Sequence, residues 1–295
     1  MIIKYRHYFY TFSLGLIALS IFALAYWGLP LGIDFKGGSV LEIEGITNSE
    51  SIRPAVDEIA DSFKIQSIGE NAFSIRMETI DAPTKKSLIE TLQQDNPDLV
   101  QLRFESIDPT IGAETTQDSF YAIVAVALAI VAYIAFAFRK LSYPLASWKY
   151  GIITLIALCH DVLITFGVVV AFVHFTGQDI GVPFVAALLT VLGYSVNDTI
   201  VVFDRLRENL RKATGQSVFA EVVDKSTRET IIRSLNSSFT TLLVLVAIFV
   251  FGGESLALFM IALITGVSIG TYSSLAIASP LVVDWVFLHK KVKKT

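Results

Sequence analysis

The chain has 295 residues, of which 53% are hydrophobic, with a mean hydropathy of +0.61 and a formal net charge of −4. Several apolar runs reach the ~18–20 residues needed to cross a hydrocarbon core, which excludes an ordinary soluble domain, and nothing resembles a nucleic-acid surface. The single cysteine, Cys159, excludes an intrachain disulfide.

A first span is expected over residues 8–27, preceded by Lys4 and Arg6. Ala23-Leu24-Ala25 has the form of a signal-peptidase site, but the run is long for a signal peptide and reads as a retained anchor. Residues 32–117 form a polar insert in which Asp and Glu outnumber Lys and Arg about two to one. Gly32, Gly37 and Gly38 in LGIDFKGG (residues 31–38) mark a turn needing positive φ or close backbone approach. Residues 39–44 alternate like a strand, and Asn48 or Ser49 is placed to cap a helix running to about Phe63. Residues 64–68 and 72–77 flank Gly69-Glu70-Asn71 as a hairpin, a second helix follows Ala82-Pro83, and 99–107 add a last strand. The order βαββαβ predicts a ferredoxin-like α+β domain, and no catalytic constellation appears in it.

The second span is expected over 119–138, ended by Arg139 and Lys140, and the third over 150–173, with Cys159, His160 and Asp161 near mid-depth. The fourth covers 183–203. Residues 204–232 are charged and amphipathic and are expected to form a helix lying at the surface. The fifth span covers 234–251. The sixth, 255–288, is longer than a bilayer requires and is expected to be tilted or broken. Basic residues fill the N-terminus, the loop after the second span, the 204–233 segment and the tail with Lys290, Lys291, Lys293 and Lys294, whereas the loops after the third and fifth spans have none. The positive-inside rule then predicts six spans with both termini cytoplasmic and 32–117 extracytoplasmic. This divides the chain into 1–31 (tail and first helix), 32–117 (the insert) and 118–295 (five further helices with the cytoplasmic 204–232 segment).

The rest is organised around residues 191–212, VLGYSVNDTIVVFDRLRENLRK, an apolar run that carries Asn197 and Asp198. At ~100° per residue, Val191, Tyr194, Ser195, Asp198 and Arg205 share one side of a helix. Leu192, Val196, Ile200 and Phe203 share the other, which suits lipid. Counting ~1.5 Å per residue back from Asp204 puts Asp198 roughly 9 Å inside the hydrocarbon, where a carboxylate is costly and usually functional. On the fifth span Arg233, Asn236, Ser237 and Thr240 share one face, opposed to Leu235, Phe239 and Leu242, with Arg233 at a depth from which it reaches Asp198 or snorkels to the headgroups. His160 and Asp161 point ~100° apart and are not expected to pair. Asp161 reads equally as an interior hydrogen-bonding group or as part of a proton path. Asp284 reads as a boundary residue. Gly266 and Gly270 form G-x-x-x-G, a face for close helix approach. No metal-ligand spacing or phosphate-binding loop is present.

The stretch GYSVNDTIVVFDRLREN (193–209) resembles the fourth-span signature of the SecF branch of the SecD/SecF family, within the resistance-nodulation-division (RND) superfamily. LGIDFKGG (31–38), PTIG (109–112), RSLNSSFTTLLVLVAIFVFGG (233–253) and GTYSSLAIASPLVVDW (270–285) agree with it and cover nearly the whole chain in the family's order. The resemblance implies an RND-type half of six transmembrane helices, with an ectodomain between the first two and the first helix retained. It also implies a protein-export subunit, not an enzyme, in the bacterial plasma membrane. Such a subunit works with a SecD-like subunit and the SecYEG translocon on a translocating preprotein, without nucleic acid. Gly32, Asp34, Gly37 and Gly38 belong to the family motif.

Acids in the membrane and no nucleotide motif point to an ion gradient, H+ or Na+, as the energy source, with no cofactor. Asp198 and Arg233 are the expected relay, since SecF-like proteins place an acid and an arginine at the matching positions. Tyr194, Ser195, Asn197, Asn236, Ser237, Thr240 and Asp161 are the expected supporting polar groups. The alternative class is an RND-type exporter half for small molecules or lipids, although such proteins usually carry larger ectodomains and two halves in one chain. An intramembrane aspartyl protease is disfavoured because its Y-D and G-x-G-D settings are missing.

Overall fold

The computed structural model describes residues 2–139, 145–213 and 219–292; Lys140, Lys293 and Lys294 lie outside them. The chain divides into two compact units, one of Pro30–Phe120 with Asp179–Val182, the other of Met1–Leu29, Tyr121–Gln178 and Pro183–Thr295. In chain order the helices are α1 (Arg6–Trp27), α2 (Ile33–Lys36), α3 (Arg53–Asp57), α4 (Ala82–Asp95), α5 (Pro109–Ala137), α6 (Ser147–Thr176), α7 (Val182–Lys212), α8 (Phe219–Phe251), α9 (Glu254–Ser273) and α10 (Ser279–Val292). The strands are β1 (Gly38–Glu44), β2 (Phe63–Ser67), β3 (Ala72–Met77) and β4 (Val100–Ile107).

In the first unit the strands form one sheet of order β2-β3-β1-β4, each neighbouring pair antiparallel. The alternation of β1 turns Leu41 and Ile43 to one face, where Phe73, Ile75 and Met77 of β3 meet them. Leu88 and Leu92, one turn apart on α4, cover that face with Ile52 and Val56. Asp81 caps α4, its Oδ1 accepting from Thr84 N–H at 2.9 Å. The helix expected from Asn48 to about Phe63 is instead a 3-10 turn, Ser49–Ser51, followed by the five-residue α3. Asn48 does cap the turn, but Phe63 already begins β2.

Among the described residues six apolar helical stretches are long enough to span a bilayer, and they make up most of the second unit. α6 and α7 are its centre. Tyr150, Phe203, Ile153, Leu192 and Val196 share one buried cluster with Val282 and Val283, and the Phe203 ring meets Tyr150 edge-on at 5.2 Å. The side of α7 expected to face lipid is therefore protein core: Leu192, Val196 and Phe203 are buried and Ile200 packs against the cluster. Both faces of α7 are covered because other helices surround it, and an apolar stripe alone does not distinguish helix neighbours from acyl chains.

Three boundaries also differ from expectation. α5 is helical from Pro109, ten residues before the expected span. No breaker follows Phe203, so α7 continues to Lys212, and α8 is one helix from Phe219 through the fifth span. Residues 204–212 and 219–232 thus extend two spans instead of forming a separate surface helix, and 214–218 lie outside the described residues. Arg205 joins the extensions, its Nε 2.6 Å from Glu229 Oε2, and Asn209 Nδ2 donates to Ser226 Oγ at 3.0 Å. The long sixth stretch is broken, as expected, by a π-helical turn over Ser274–Ala278 between α9 and α10.

Candidate functional site

Three carboxylates are buried inside the helical unit among the described residues; Asp224 on α8 is paired with Arg228 Nε at 2.9 Å and accepts from Ile3 N–H at 3.1 Å, and the other two are on α6 and α7. Asp198, on α7, is 3% exposed, and its Oδ2 has no hydrogen-bond partner among the described residues. The hydroxyls around it are Thr271 on α9 and Ser234 and Ser238 on α8, with the charge of Arg233 acting on it as well. Those hydroxyls are only partly engaged with one another. Ser238 and Thr271 share a hydrogen bond of 2.5 Å, Thr271 Oγ1 donates to Val267 O, and Ser234 Oγ is buried with no well-formed hydrogen bond among the described residues. Tyr194 OH reaches in from α7, donating to Ser238 Oγ at 3.3 Å and to Thr241 Oγ1 at 3.4 Å. A buried carboxylate oxygen without a well-formed hydrogen bond, with the hydroxyls of Thr271, Ser234 and Ser238 gathered round it, is an arrangement with room for a proton or a small cation.

Asp161, on α6, is the opposite case. Fully buried, it accepts from Ser195 Oγ at 2.5 Å and Ser273 Oγ at 2.8 Å through Oδ2, and its Oδ1 lies 2.8 Å from His160 Nδ1. The expectation that His160 and Asp161 do not pair is corrected. Their Cβ vectors diverge, but the short Asp side chain and the imidazole lean toward each other where burial provides no solvent alternative. His160 stacks on Tyr272, with ring centroids 6.3 Å apart. One carboxylate therefore ties α6 to α7 and to the last residue of α9, at the start of the π-helical turn.

The remaining expected residues divide between these two clusters and the outside of the unit. Ser195 serves Asp161, not Asp198. Asn197 is exposed, as are Arg233, Asn236, Ser237 and Thr240. Ser237 and Thr240 bond backbone carbonyls of their own helix, Ser234 O and Ser237 O, and no Arg233–Asp198 ion pair forms among the described residues. The face of α8 that meets Asp198 is Ser234-Ser238-Thr241, about 100° round the helix from the stripe chosen on sequence. The i, i+4, i+7 spacing of those three hydroxyls was the available signal, and nothing in sequence marked Thr271 as their partner.

Gly266 and Gly270 make the close helix contact expected of them, and the partner is α7. A Cβ on Gly266 would lie 2.1 Å from Val191 Cγ2, and one on Gly270 2.8 Å from Ser195 Cβ. This approach brings Thr271 and Ser273 to α7. Asp284 is not merely a boundary acid; it pairs with Arg6 Nε at 3.0 Å and accepts from Tyr10 OH at 2.9 Å. Gly32, Asp34, Gly37 and Gly38 lie in the sheet-bearing unit, apart from both acids in the chain's division. Among the described residues no group of three or more His, Cys, Asp or Glu side chains converges to hold a metal ion.

Six apolar spans with carboxylates and hydroxyls gathered in their interior define a polytopic helical membrane protein built around buried titratable groups. Residues 87–288 match the family model of the SecD/SecF protein-export membrane protein C-terminal region, and residues 28–44 match that of the SecD/SecF GG motif. The chain is 39% identical to the protein translocase subunit SecF of Thermobaculum terrenum, over 96% of this chain and 93% of that one. It is 35% identical to the SecF of Sebaldella termitidis, over 99% and 92%. The chain belongs to the SecD/SecF family of protein-export membrane proteins. Among solved structures it superposes on SecDF of Thermus thermophilus, described as a translocon-associated membrane protein, with a TM-score of 0.83 and 30% identity, covering 96% of this chain. It spans 38% of the length of that SecDF chain.

Proposed function

We propose that this chain is the SecF-type subunit of the Sec protein translocase and that Asp198 carries the ion step by which an H+ or Na+ gradient promotes preprotein movement and release. The observation that carries the ion step is the open Oδ2 of Asp198 beside the open hydroxyl of Ser234. Burial disfavours a charged carboxylate and a nearby arginine favours it. If the packing of α7 against α8 alternates, Asp198 gains an ion when Arg233 is distant and loses it when Arg233 approaches. The membrane potential contributes about 2.3 kcal/mol per charge per 100 mV, enough to bias such an exchange. Tyr194, Ser238 and Thr271 supply the surrounding oxygens.

A second six-span, SecD-like subunit completes the unit in this reading. The exposed stripe of Arg233, Asn236, Ser237 and Thr240 supports it, since polar groups on a spanning helix face protein or water in preference to lipid. The sheet-bearing unit is read as ferredoxin-like, supported by its βαββαβ order with β3 between β1 and β2. The distribution of Lys and Arg supports a position outside the cytoplasm for it, with both termini inside, and the SecF relatives support a bacterial inner membrane. SecYEG and the preprotein are the further partners.

The test is gradient-driven export in vesicles holding the chain, a SecD-like partner and the translocon. Asp198→Asn keeps the shape and removes the exchangeable charge, so the gradient-dependent part of export should vanish while insertion and partner binding persist. Normal gradient-dependent export by that variant would reduce Asp198 to a structural hydrogen-bonding group. Imposing an H+ or an Na+ gradient separately identifies the ion.

A further inference from the structure

The GG motif lies in the sheet-bearing unit, and its backbone contacts there are tight. Gly37 and Gly38 have φ of +77° and +127°, and a Cβ on them would lie 2.5 Å from Pro109 Cα and 2.8 Å from Met77 O. The constraint is mutual, because a Cβ on Gly112 would lie 2.7 Å from Gly37 N. PTIG and the GG motif therefore exist as one joint, at the start of α5.

The same motif reaches the start of α7. Gly32 N–H donates to Ile180 O and Ile180 N–H to Pro30 O, both at 2.8 Å, with a parallel bridge between Leu31 and Ile180. Asp34 Oδ2 accepts from Val182 N–H at 2.9 Å. Val182 is the first residue of α7, and its N–H is one of the helix's unsatisfied donors. Pro183, the next residue, has no N–H to offer. Asp34 thus caps α7 from 148 positions away in sequence and sets a negative charge at the helix's positive end. Arg76 of β3 adds an ion pair to Asp179, Nη1 to Oδ2 at 2.8 Å. All of these contacts lie inside one compact unit, which claims Asp179–Val182 even though those residues sit between two spans in sequence.

We infer that Asp34 is a positioning residue for translocation: the Pro30–Gly38 segment clamps the first residue of α7, and the clamp delivers displacement of the Asp198 helix to the sheet-bearing unit. This rests on the reading of Asp198 as the ion carrier. Only covalent helix separates Val182 from Asp198. A shift of α7 that follows ion exchange therefore moves the strap Asp179–Val182, and the strap is hydrogen-bonded into the segment that leads directly into β1.

The prediction is uncoupling. In vesicles with the SecD-like partner and the translocon, Asp34→Ala should lower gradient-driven export about fivefold, the scale of one lost cap, while ion flux stays near the unaltered level. Asp34→Asn retains an oxygen acceptor and should restore export. In the full-length protein, Asp34→Ala should also speed amide exchange at residues 178–186 about fivefold. Flux and export falling together, or normal export by Asp34→Ala, would overturn the coupling role. If Asp34→Ala does not fold, the charge swap decides: Arg76→Asp should uncouple and Arg76→Asp with Asp179→Arg should recover, and no recovery counts against the clamp. If Asp198→Asn leaves flux unchanged, the ion reading has failed, and the exchange measurement still decides whether Asp34 holds Val182.

Discussion

Asp161 and Asp198 sit in the same helical unit, both buried, both on central helices, and they are treated in opposite ways. Asp161 has donors from Ser195 and Ser273 and a partner in His160, whereas Asp198 has an open oxygen among hydroxyls that bond elsewhere or not at all. A saturated buried carboxylate resists change, because each hydrogen bond would have to be remade before it moved. An unsaturated one is held by little and responds to whatever approaches it. The contrast separates a saturated carboxylate from an unsaturated one, and under the proposed function it is the unsaturated one that exchanges the ion.

The sharpest way to break this comparison is to neutralise each acid. Asp198→Asn should remove gradient-driven export altogether and leave thermal stability in detergent close to the unaltered protein. Asp161→Ala should do the reverse in kind, costing about 3–5 kcal/mol of stability as its buried partners lose their acceptor, seen as loss of folded protein before any transport assay. Equal destabilisation by the two changes would erase the distinction.

A smaller effect tests what brings the two clusters together. Gly266→Val places atoms against Val191 and should cost about 1–3 kcal/mol, measured by thermal unfolding. It should impair export in the same protein, because α9 carries both Thr271 and Ser273. Smaller again is the division of α8 into an inner and an outer polar face. Ser234→Ala should lower gradient dependence severalfold with partner co-purification intact, while Ser237→Leu should weaken co-purification first. The opposite pattern would return the sequence-chosen stripe to the ion site.

The smallest effect concerns pH in the sheet-bearing unit. A hydrogen bond from the Thr84 side chain holds Asp81 below the usual carboxylate range, and one from Thr110 does the same for Asp108. Their stabilisation is present above the ordinary Asp value and disappears as pH falls through the lowered ones. Burial, partly opposed by Arg76, raises Asp179 instead. Its contribution is fully present below the ordinary Asp value and is lost as pH rises through the raised one. As pH falls from neutrality, relief of burial at Asp179 and loss of its ion pair with Arg76 act oppositely on 179–182, whereas amide exchange at the start of α4 should stay unchanged until the ordinary Asp range is reached. Strong acid should loosen that helix start.

The chain alone was sufficient for the six spans, the insert between the first two, the strands of that insert and the family. Those properties follow from runs of apolar residues, two-residue alternation and contiguous motifs, all of which are local along the chain. Asp198 was legible for the same reason, as an acid inside an apolar run. The partners of that acid were not. Ser195 turns to Asp161, Ser234 and Ser238 displace Asn236 and Ser237, Thr271 arrives from another helix, and Asp34 closes on Val182. Helical periodicity says which residues share a face but not which face meets which neighbour. That choice belongs to tertiary packing, where Gly266 and Gly270 let α9 approach α7 and two covered faces of α7 leave little of it for lipid.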